Sequence, residues 1–466
     1  MIKKEDRRLG IIILGLIGAY LLTRLSFPSD FSPEAVIMMG IAVLGALFWV
    51  TECIPIALTG LVIILLQALY GIQSISEGLA HIATPVNSIV FAGFIMASAF
   101  SRYKLDRRVG LMIVSAMGER TDRLLLGIMA STAVLSMWIS NSAATAIMLP
   151  IALGIMKMTD IHPGSSNFGR AMMLGIAAAA NIGGMGTPAG TPACSITIAL
   201  IARMTGVEIR FLDWFLRAFP VVVLLIPVAW RLLLLVYPAE VDRIRGGAAA
   251  VRAELEQMGP LTARQKQVLV LFALALLLWT ADSFWNLPSG WLYIASVIIA
   301  LLFTAPRAGV IPWEEASRDI GWGIFILVGG GLALGSGLNQ TGVIAIIAER
   351  FSSLFGHSSG IIIVTALALI TAMSITFFSS LTATSTTFVP VAVGLGYQLG
   401  LDPVMLGMVA GLSSCLAFLL PANTPPNAIA YAMGYFKSSQ MLRVGIILTV
   451  ASVLLLSLIA NLAWGL

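Results

Sequence analysis

Apolar stretches long enough to cross a lipid bilayer recur along this chain from one end to the other. Of its 466 residues, 59% are hydrophobic and only 11% are charged, whereas a soluble domain usually carries about 25% charged residues. The pattern therefore predicts an all-α polytopic membrane protein. The predicted spans lie near residues 10–26, 37–52, 54–72, 83–102, 168–204, 211–237, 263–282, 291–305, 318–340, 402–435 and 441–464.

Basic residues set the expected orientation. They cluster before the first span, after the fourth, and between the sixth and seventh: Lys3, Lys4, Arg7, Arg8; Arg102, Lys104, Arg107, Arg108, Arg120, Arg123; and Arg243, Arg245, Arg252, Arg264, Lys266. If segments 122–157 and 360–398 are re-entrant hairpins, every cluster falls on the cytoplasmic side. We therefore expect a multi-pass protein of the cell (cytoplasmic or inner) membrane, with eleven crossings, a cytoplasmic N-terminus and an external C-terminus. The net charge of +5 reflects this loop bias rather than nucleic-acid binding.

Two polar motifs interrupt the apolar sequence, SNSAATAIMLP at 140–150 and SLTATSTTFVP at 380–390. Each is followed by a second matched element, GTP at 190–192 and NTPPN at 423–427. Hydroxyl and amide groups inside a membrane domain are costly unless they face a cavity, a ligand or one another. Their repetition in both halves predicts a duplicated binding site, and hence transport.

Glycines and prolines crowd two of the predicted spans, over 183–192 and 421–426. They weaken helices and free backbone groups, which a membrane protein tolerates only inside protein or along a watery cavity. Two unwound helices at the midplane are typical of inverted-repeat transporters. Kinked helices satisfied by neighbouring hydroxyls are the structural alternative.

These features give a predicted division of the chain. The N-terminal cytoplasmic segment and first transmembrane helix occupy 1–36. A first inverted repeat, with a hairpin at about 122–157, occupies 37–237. A cytoplasmic linker at 238–262 joins it to a second repeat at 263–466, with a hairpin at about 360–398.

From about residue 37 onward the chain resembles the divalent anion:sodium symporter family of di- and tricarboxylate transporters. The resemblance rests on WVTECIPIALTGL at 49–61, the SNS tip, GGMGTPAGTP at 183–192, WGIFILVGGGLALG at 322–335 and LPANTPPNAIA at 420–430. It implies a homodimer in the lipid bilayer and an alternating-access mechanism of the elevator type. It also implies sodium as the coupling ion, with no other cofactor.

The resemblance implies two sodium sites at Ser-Asn-Thr tips. The first would use Ser136, Ser140, Asn141 and the carbonyl of Gly190. In the second tip Leu381 replaces the asparagine of the family, and leucine cannot coordinate an ion, which leaves Thr376, Ser379 and Asn423 as ligands. Two hypotheses remain for Asn423: its amide replaces the lost one, or it caps the half-helix that begins at Thr424.

Hydroxyl and amide donors, together with helix N-termini, can bind two carboxylates without a buried arginine. The candidate substrate-binding residues are Ser140, Asn141, Ser142, Thr191, Ser380, Thr382, Thr424 and Pro425. We expect sodium-coupled import of C4-dicarboxylates such as succinate, malate or fumarate. A sodium-independent dicarboxylate exchanger is the main alternative, and citrate, tartrate or sulfate are alternative substrates.

Two other classes fit the sequence less well. A channel with re-entrant pore loops would be built from four-fold or pore-lining repeats, whereas this plan is two-fold. An intramembrane enzyme would need a reactive constellation such as paired aspartates, Ser-His or HExxH, and the sequence contains none within its spans. We therefore expect no enzymatic activity.

Overall fold

The computed structural model describes residues 4–22, 31–158, 161, 163–164, 166–244, 246–285, 287–288, 290–355 and 359–464. Within these ranges the chain forms α-helices and no strand. The first twelve helices are α1 (Lys4–Leu22), α2 (Pro33–Thr51), α3 (Ile56–Leu69), α4 (Ile75–Ala80), α5 (Pro85–Arg102), α6 (Leu105–Ser115), α7 (Thr121–Ser136), α8 (Asn141–Lys157), α9 (Asn167–Gly184), α10 (Pro192–Thr205), α11 (Phe211–Val236) and α12 (Gly247–Gln257). The remaining helices are α13 (Ala263–Thr280), α14 (Trp291–Thr304), α15 (Trp313–Asp319), α16 (Trp322–Gln340), α17 (Val343–Phe355), α18 (Gly360–Phe378), α19 (Leu381–Leu399), α20 (Pro403–Ser413), α21 (Pro425–Ala432) and α22 (Ser438–Ala463).

The helices confirm the predicted all-α polytopic class. In the described part of the chain, six helical stretches are long and apolar enough to cross a membrane: 75–102, 211–236, 263–283, 322–340, 360–378 and 438–463. Shorter apolar helices occur as well, α2, α3 and α14 among others. The count of eleven crossings stays a prediction, because helix length and composition alone do not fix it.

Both segments with polar motifs fold as two helices joined by a short turn. In the first, α7 and α8 flank residues 137–140, and in the second, α18 and α19 flank residues 379–380. Ser140 and Ser380 are the N-cap residues of α8 and α19, and their side chains accept hydrogen bonds from the N–H groups of Ala143 and Ala383. Short polar side chains favour this position because they satisfy an N–H group that has no partner within the helix. That these pairs re-enter on the same side of the membrane stays a prediction.

The two Gly- and Pro-rich spans are each broken into two helices. The first break, residues 185–191, separates α9 from α10, and the second, residues 414–424, separates α20 from α21. Pro192 and Pro425 occupy the first turns of α10 and α21, where the missing N–H of proline removes no intrahelical hydrogen bond. The predicted interruptions are therefore present as helix breaks rather than as kinks.

Buried side chains divide the helices into groups. One large core cluster unites residues from both helix pairs and both breaks, together with α11 and α22. A second cluster gathers α5 with α13, α14 and α15, and a third gathers α2, α3, α16 and α17. The motif-bearing helices of both halves thus share one core, and the other helices pack around it.

One close helix crossing lies in the third group, where α16 meets α3. A Cβ atom added to Gly330 would lie 2.1 Å from the Cα of Gly60, and one added to Gly60 would lie 2.8 Å from the carbonyl oxygen of Ile326. Small residues let membrane helices approach this closely and gain van der Waals contact. The glycines of the GGG run in α16 are therefore required by packing.

We predict that Gly330→Ala lowers the thermal unfolding midpoint of the purified protein. The added methyl group meets backbone rather than a mobile side chain, and overpacking of this kind costs about 1–3 kcal/mol. Gly154→Ala in α8 is the matched control, because no atom lies within 4 Å of its added Cβ. Equal midpoints for Gly330→Ala and wild type, measured by tryptophan fluorescence in detergent, would show that the crossing is not tight.

Candidate functional site

The first tip gathers oxygen atoms around Ser136. The Oγ atom of Ser136 lies 2.8 Å from Oδ1 of Asn141 and 2.7 Å from the carbonyl oxygen of Ala180 in α9. A serine hydroxyl has one hydrogen, so it can donate to only one of these two acceptors. The cluster is buried, and one hydroxyl hydrogen faces two acceptor oxygens there.

Three glycines let the end of α9 press against this tip. A Cβ atom added to Gly183 would lie 2.3 Å from the carbonyl oxygen of Ala133. One added to Gly184 would lie 2.3 Å from Oδ1 of Asn141. At Gly190 an added Cβ would lie 2.4 Å from the carbonyl oxygen of Gly184. The first break therefore folds tightly onto the first tip because it has no side chains at these positions.

Hydrogen bonds from side chains hold the first break in this shape. The Thr187 hydroxyl donates to the carbonyl of Met137 in the tip at 2.6 Å. Trp214 Nε1 donates to the carbonyl of Met185 at 3.0 Å, and the Ser195 hydroxyl donates to that of Pro188 at 2.7 Å. Carbonyls freed by the break thus find partners inside the protein, as burial requires.

The second tip differs from the first in its polar side chains. Leu381 stands where Asn141 stands in the first motif, and it packs against the large core cluster. Ser379 adopts a left-handed conformation with φ of 48°, which turns the chain directly from α18 into Ser380. The hydroxyl of Thr376, at the position of Ser136, has no hydrogen-bond partner among the described residues.

Two asparagines hold the second break. Asn423 is fully buried; its Nδ2 donates to the carbonyl of Ile375 in α18 at 3.1 Å, and its Oδ1 accepts from the N–H of Leu420 at 2.8 Å. Asn427, in the first turn of α21, donates to the carbonyls of Ala417 and Leu420 at 2.9 and 3.0 Å. The bonds of the Asn423 carboxamide thus join the second break to the second tip, and they do not cap α21.

Asn181 links the two halves. This residue of α9 directly follows Ala180, and its Nδ2 lies 3.3 Å from the Thr424 hydroxyl, 3.1 Å from Oδ1 of Asn427 and 3.0 Å from the carbonyl of Ala417. A continuous series of contacts therefore runs from the first tip through α9 to the second break, and through Asn423 to the second tip. Asn181 was not among the predicted site residues; a single carboxamide in an otherwise apolar alanine-rich span was the available signal.

The predicted substrate-binding residues differ in their exposure. Ser140 and Pro425 are exposed, Ser142 and Ser380 are partly exposed, and the others are buried: Asn141, Thr191, Thr382 and Thr424. A cavity of about 470 Å³ lies elsewhere, and its lining includes Arg203, Arg210, Asp282 and Trp291 but none of these residues. The tips and breaks thus form a compact polar cluster with an exposed edge at Ser140 and Pro425.

The chemistry of this cluster is neutral and rich in oxygen. Its side chains are hydroxyls and carboxamides, and the first residues of α10 and α21 add the positive ends of helix dipoles. In the described part of the chain no group of three or more His, Cys, Asp or Glu side chains could hold a metal ion. Such a cluster can bind carboxylates and a hard monovalent cation, and it lacks the ligands that transition metals prefer.

Comparison with known proteins identifies the family. The pattern of the family described as "Sodium:sulfate symporter transmembrane region" matches residues 8–466. The sodium-dependent dicarboxylate transporter SdcS of Staphylococcus saprophyticus is 33% identical over 485 aligned residues, which cover 98% of this chain and 92% of that protein. SdcS of Staphylococcus aureus strain bovine RF122 / ET3-1 is 34% identical over 480 aligned residues with the same coverage.

Solved structures of two transporters share the fold. The Alcanivorax borkumensis YdaH transporter superimposes with a TM-score of 0.59 at 13% identity, covering 99% of this chain and 98% of its own. Neisseria gonorrhoeae MtrF, from a class of antimetabolite efflux pumps, gives a TM-score of 0.58 at 11% identity, covering 97% and 94%. This chain therefore belongs to the sodium:sulfate symporter family, the divalent anion:sodium symporters that its motifs resemble, and is a multi-pass membrane transporter and not an enzyme.

Proposed function

We propose that this transporter imports C4-dicarboxylates such as succinate, malate or fumarate, coupled to sodium, across the cell membrane. The observation that carries the proposal is the continuous series of contacts that joins two hydroxyl-bearing tips to two helix breaks around Asn181. The names of the related SdcS proteins, which cover nearly the whole chain, support the same substrate class and ion.

The N-termini of α10 and α21 are suited to the two carboxylates. Thr191 and Thr424 are the N-cap residues, with nearly equal φ and ψ of −145° and 144°, and −149° and 154°. Neither side chain caps its own helix. Pro192, Pro425 and Pro426 have no N–H, so the first turns offer the N–H groups of Ala193 and Asn427 to another acceptor. We assign dicarboxylate binding to these termini with Ser140, Asn141, Ser142, Ser380, Thr382 and Pro425.

The first tip is suited to sodium. The Ser136 hydroxyl lies within hydrogen-bonding distance of both Oδ1 of Asn141 and the Ala180 carbonyl, and its single hydrogen can be donated to only one of them. A hard cation satisfies several oxygen atoms at once, and weak neutral ligands permit its release. We assign the first sodium site to Ser136, Ser140, Asn141 and the carbonyl of Gly190.

The mechanism that we propose is alternating access by an elevator-type movement in a homodimer. The shared core of both helix pairs and both breaks supports one moving body, and the helices of the two smaller clusters would form the fixed part. The division into inverted repeats at 37–237 and 263–466, with a cytoplasmic N-terminus and an external C-terminus, belongs to the same proposal.

Sodium-independent dicarboxylate exchange is the second candidate function. It is favoured by Leu381, which removes a carboxamide from the second tip. Uptake of labelled succinate into proteoliposomes, with and without a sodium gradient and with and without internal succinate, separates the two functions. Gradient-driven net uptake supports symport, whereas uptake that requires internal succinate and ignores sodium supports exchange.

The transported anion is tested by a thermal-shift screen of succinate, malate, fumarate, citrate, tartrate and sulfate, each in sodium, potassium or choline. A ligand that binds the folded protein raises its unfolding midpoint. We expect C4-dicarboxylates in sodium to give the largest rise. A larger rise with citrate, tartrate or sulfate would reassign the substrate.

We predict that Asn141→Ala raises the sodium concentration for half-maximal uptake by about tenfold or more, which corresponds to about 1.4 kcal/mol of lost binding free energy. The matched control is Asn461→Ala, whose carboxamide donates to the Ser457 carbonyl within α22, away from the tips. Uptake assays at varied external sodium measure both variants. An unchanged sodium dependence in Asn141→Ala would remove this residue from the ion site.

We predict that Gly184→Ala abolishes most uptake while the protein still folds. The new methyl group overlaps Oδ1 of Asn141 and must displace its side chain from Ser136. Gly154→Ala controls for glycine replacement in a neighbouring helix, since its added Cβ meets no atom within 4 Å. Wild-type uptake by Gly184→Ala, at equal amounts of folded protein, would contradict the assigned geometry.

A further inference from the structure

We propose that the carboxamide of Asn423 takes the position of a sodium ion in the second half, so that the transported complex contains sodium from the first half only. The inference rests on the proposed function, because it concerns the number of coupling ions. Its evidence is a residue-by-residue match between the two helix breaks, followed by the one place where their side chains differ.

The two breaks share their backbone geometry. The N–H of Gly190 donates to the carbonyl of Thr187 at 3.3 Å, and the N–H of Asn423 donates to that of Leu420 at 3.1 Å. The next residues, Thr191 and Thr424, have φ and ψ within about 10° of each other. Asn423 in the second break is therefore the counterpart of Gly190 in the first.

A side-chain contact confirms this alignment. The Sγ atom of Cys194 contacts the carbonyl of Gly184 at 3.8 Å, and Nδ2 of Asn427 donates to the carbonyl of Ala417 at 2.9 Å. Cys194 and Asn427 each lie four residues after the matched pair, and Gly184 and Ala417 each lie six residues before it. The same match thus holds on both sides of the break.

At the matched position the first half has no side chain and the second half has an amide. A Cβ on Gly190 would point at the carbonyl oxygens of Gly184 and Ser136, at 2.4 and 3.0 Å. In the second half the side chain of Asn423 reaches the carbonyl of Ile375, the residue before Thr376. The Asn423 carboxamide therefore lies between break and tip, where the first half has no side chain and presents backbone carbonyl oxygens.

The amide also interacts with a backbone carbonyl oxygen, as a cation at this position would. A cation between break and tip would contact carbonyl oxygens of both. Nδ2 of Asn423 donates to the Ile375 carbonyl, which also accepts the N–H of Ser379 at 2.8 Å. Oδ1 of the same group is already engaged by the N–H of Leu420 at 2.8 Å. The carboxamide of Asn423 is fully buried and hydrogen-bonded through both Nδ2 and Oδ1. Unlike an ion, it is not transported with the substrate.

The second half also has fewer side-chain oxygens that could bind a second sodium ion. Leu381 supplies no oxygen in place of Asn141, and the Thr376 hydroxyl is the remaining side-chain oxygen at the position of Ser136. Ala417 carries a methyl group where Gly184 lets Asn141 approach. The hydroxyls of Thr376 and Ser380 remain at the positions of Ser136 and Ser140, and neither replaces the lost carboxamide oxygen. A dicarboxylate dianion moved with a single sodium ion carries a net negative charge, so uptake would be opposed by an inside-negative potential.

The inference is tested first on the unmodified protein. Radiolabelled succinate and sodium fluxes into proteoliposomes, at clamped membrane potential, give the number of sodium ions per succinate. We expect one sodium ion per succinate, and an inside-negative potential that slows uptake. Two or more sodium ions per succinate would overturn the inference and leave the proposed symport intact. Sodium-independent exchange would instead overturn the proposed symport, together with the inference that rests on it.

Sodium binding alone, measured by thermal shift in sodium against choline without substrate, locates the ion. We expect Asn141→Ala to lose the sodium-specific rise in unfolding midpoint, because the second half supplies no second site. A rise that survives this substitution would place sodium in the second half and overturn the inference.

Asn423→Asp added to Asn141→Ala then tests the amide itself. The side chain keeps its size but exchanges the N–H donor beside the Ile375 carbonyl for an oxygen, which creates a demand for a cation. We expect the sodium-specific rise to return in this double variant at pH 8. It should stay absent in the matched control Asn141→Ala with Asn461→Asp. Failure of Asn423→Asp to restore it, in protein that elutes as a folded species, would contradict the assignment of the amide to an ion position.

Discussion

Backbone groups freed by a broken helix must find partners inside the protein, and the architecture around the tips follows from this requirement. The first break is satisfied by Trp214, Ser195 and Thr187 from its surroundings and by the glycines that let it fold onto the tip. The second break has fewer glycines and is satisfied by the carboxamides of Asn423 and Asn427. The same backbone geometry is thus reached with different side chains in the two halves, and this difference bears on the number of sodium sites that we propose.

Much of the fold could be predicted because a bilayer permits few backbone arrangements. The hairpin predicted at about 122–157 corresponds to α7 and α8, and the one at about 360–398 corresponds to α18 and α19. Glycine and proline marked both helix breaks within a few residues. The helices outside the predicted spans, such as α6 and α17, are short and amphipathic, and their mixed composition gives no spanning signal.

The site could be predicted in its residue types more than in its contacts. Hydroxyl and amide groups in apolar sequence drew attention to both tips, since their burial is costly without partners. Asn181 is a single polar residue in a run of alanines, and its hydrogen-bond partners lie more than two hundred residues away in the sequence. The contact of Asn423 with Ile375 likewise depends on tertiary packing. Local sequence patterns report which groups need partners, but long-range packing decides which partners they receive.

Asn181 has a consequence for how the two halves can move. Its amide group in α9 contacts Thr424, Asn427 and Ala417 of the second break, and the preceding Ala180 contacts Ser136 of the first tip. Pulling one half of the cluster away from the other would leave several buried polar groups without partners at once, which is energetically costly. The contacts of Asn181 therefore predict that the two halves of the cluster stay together, so that the alternating access proposed above would occur near the exposed residues Ser140 and Pro425 and not by separation of the two halves.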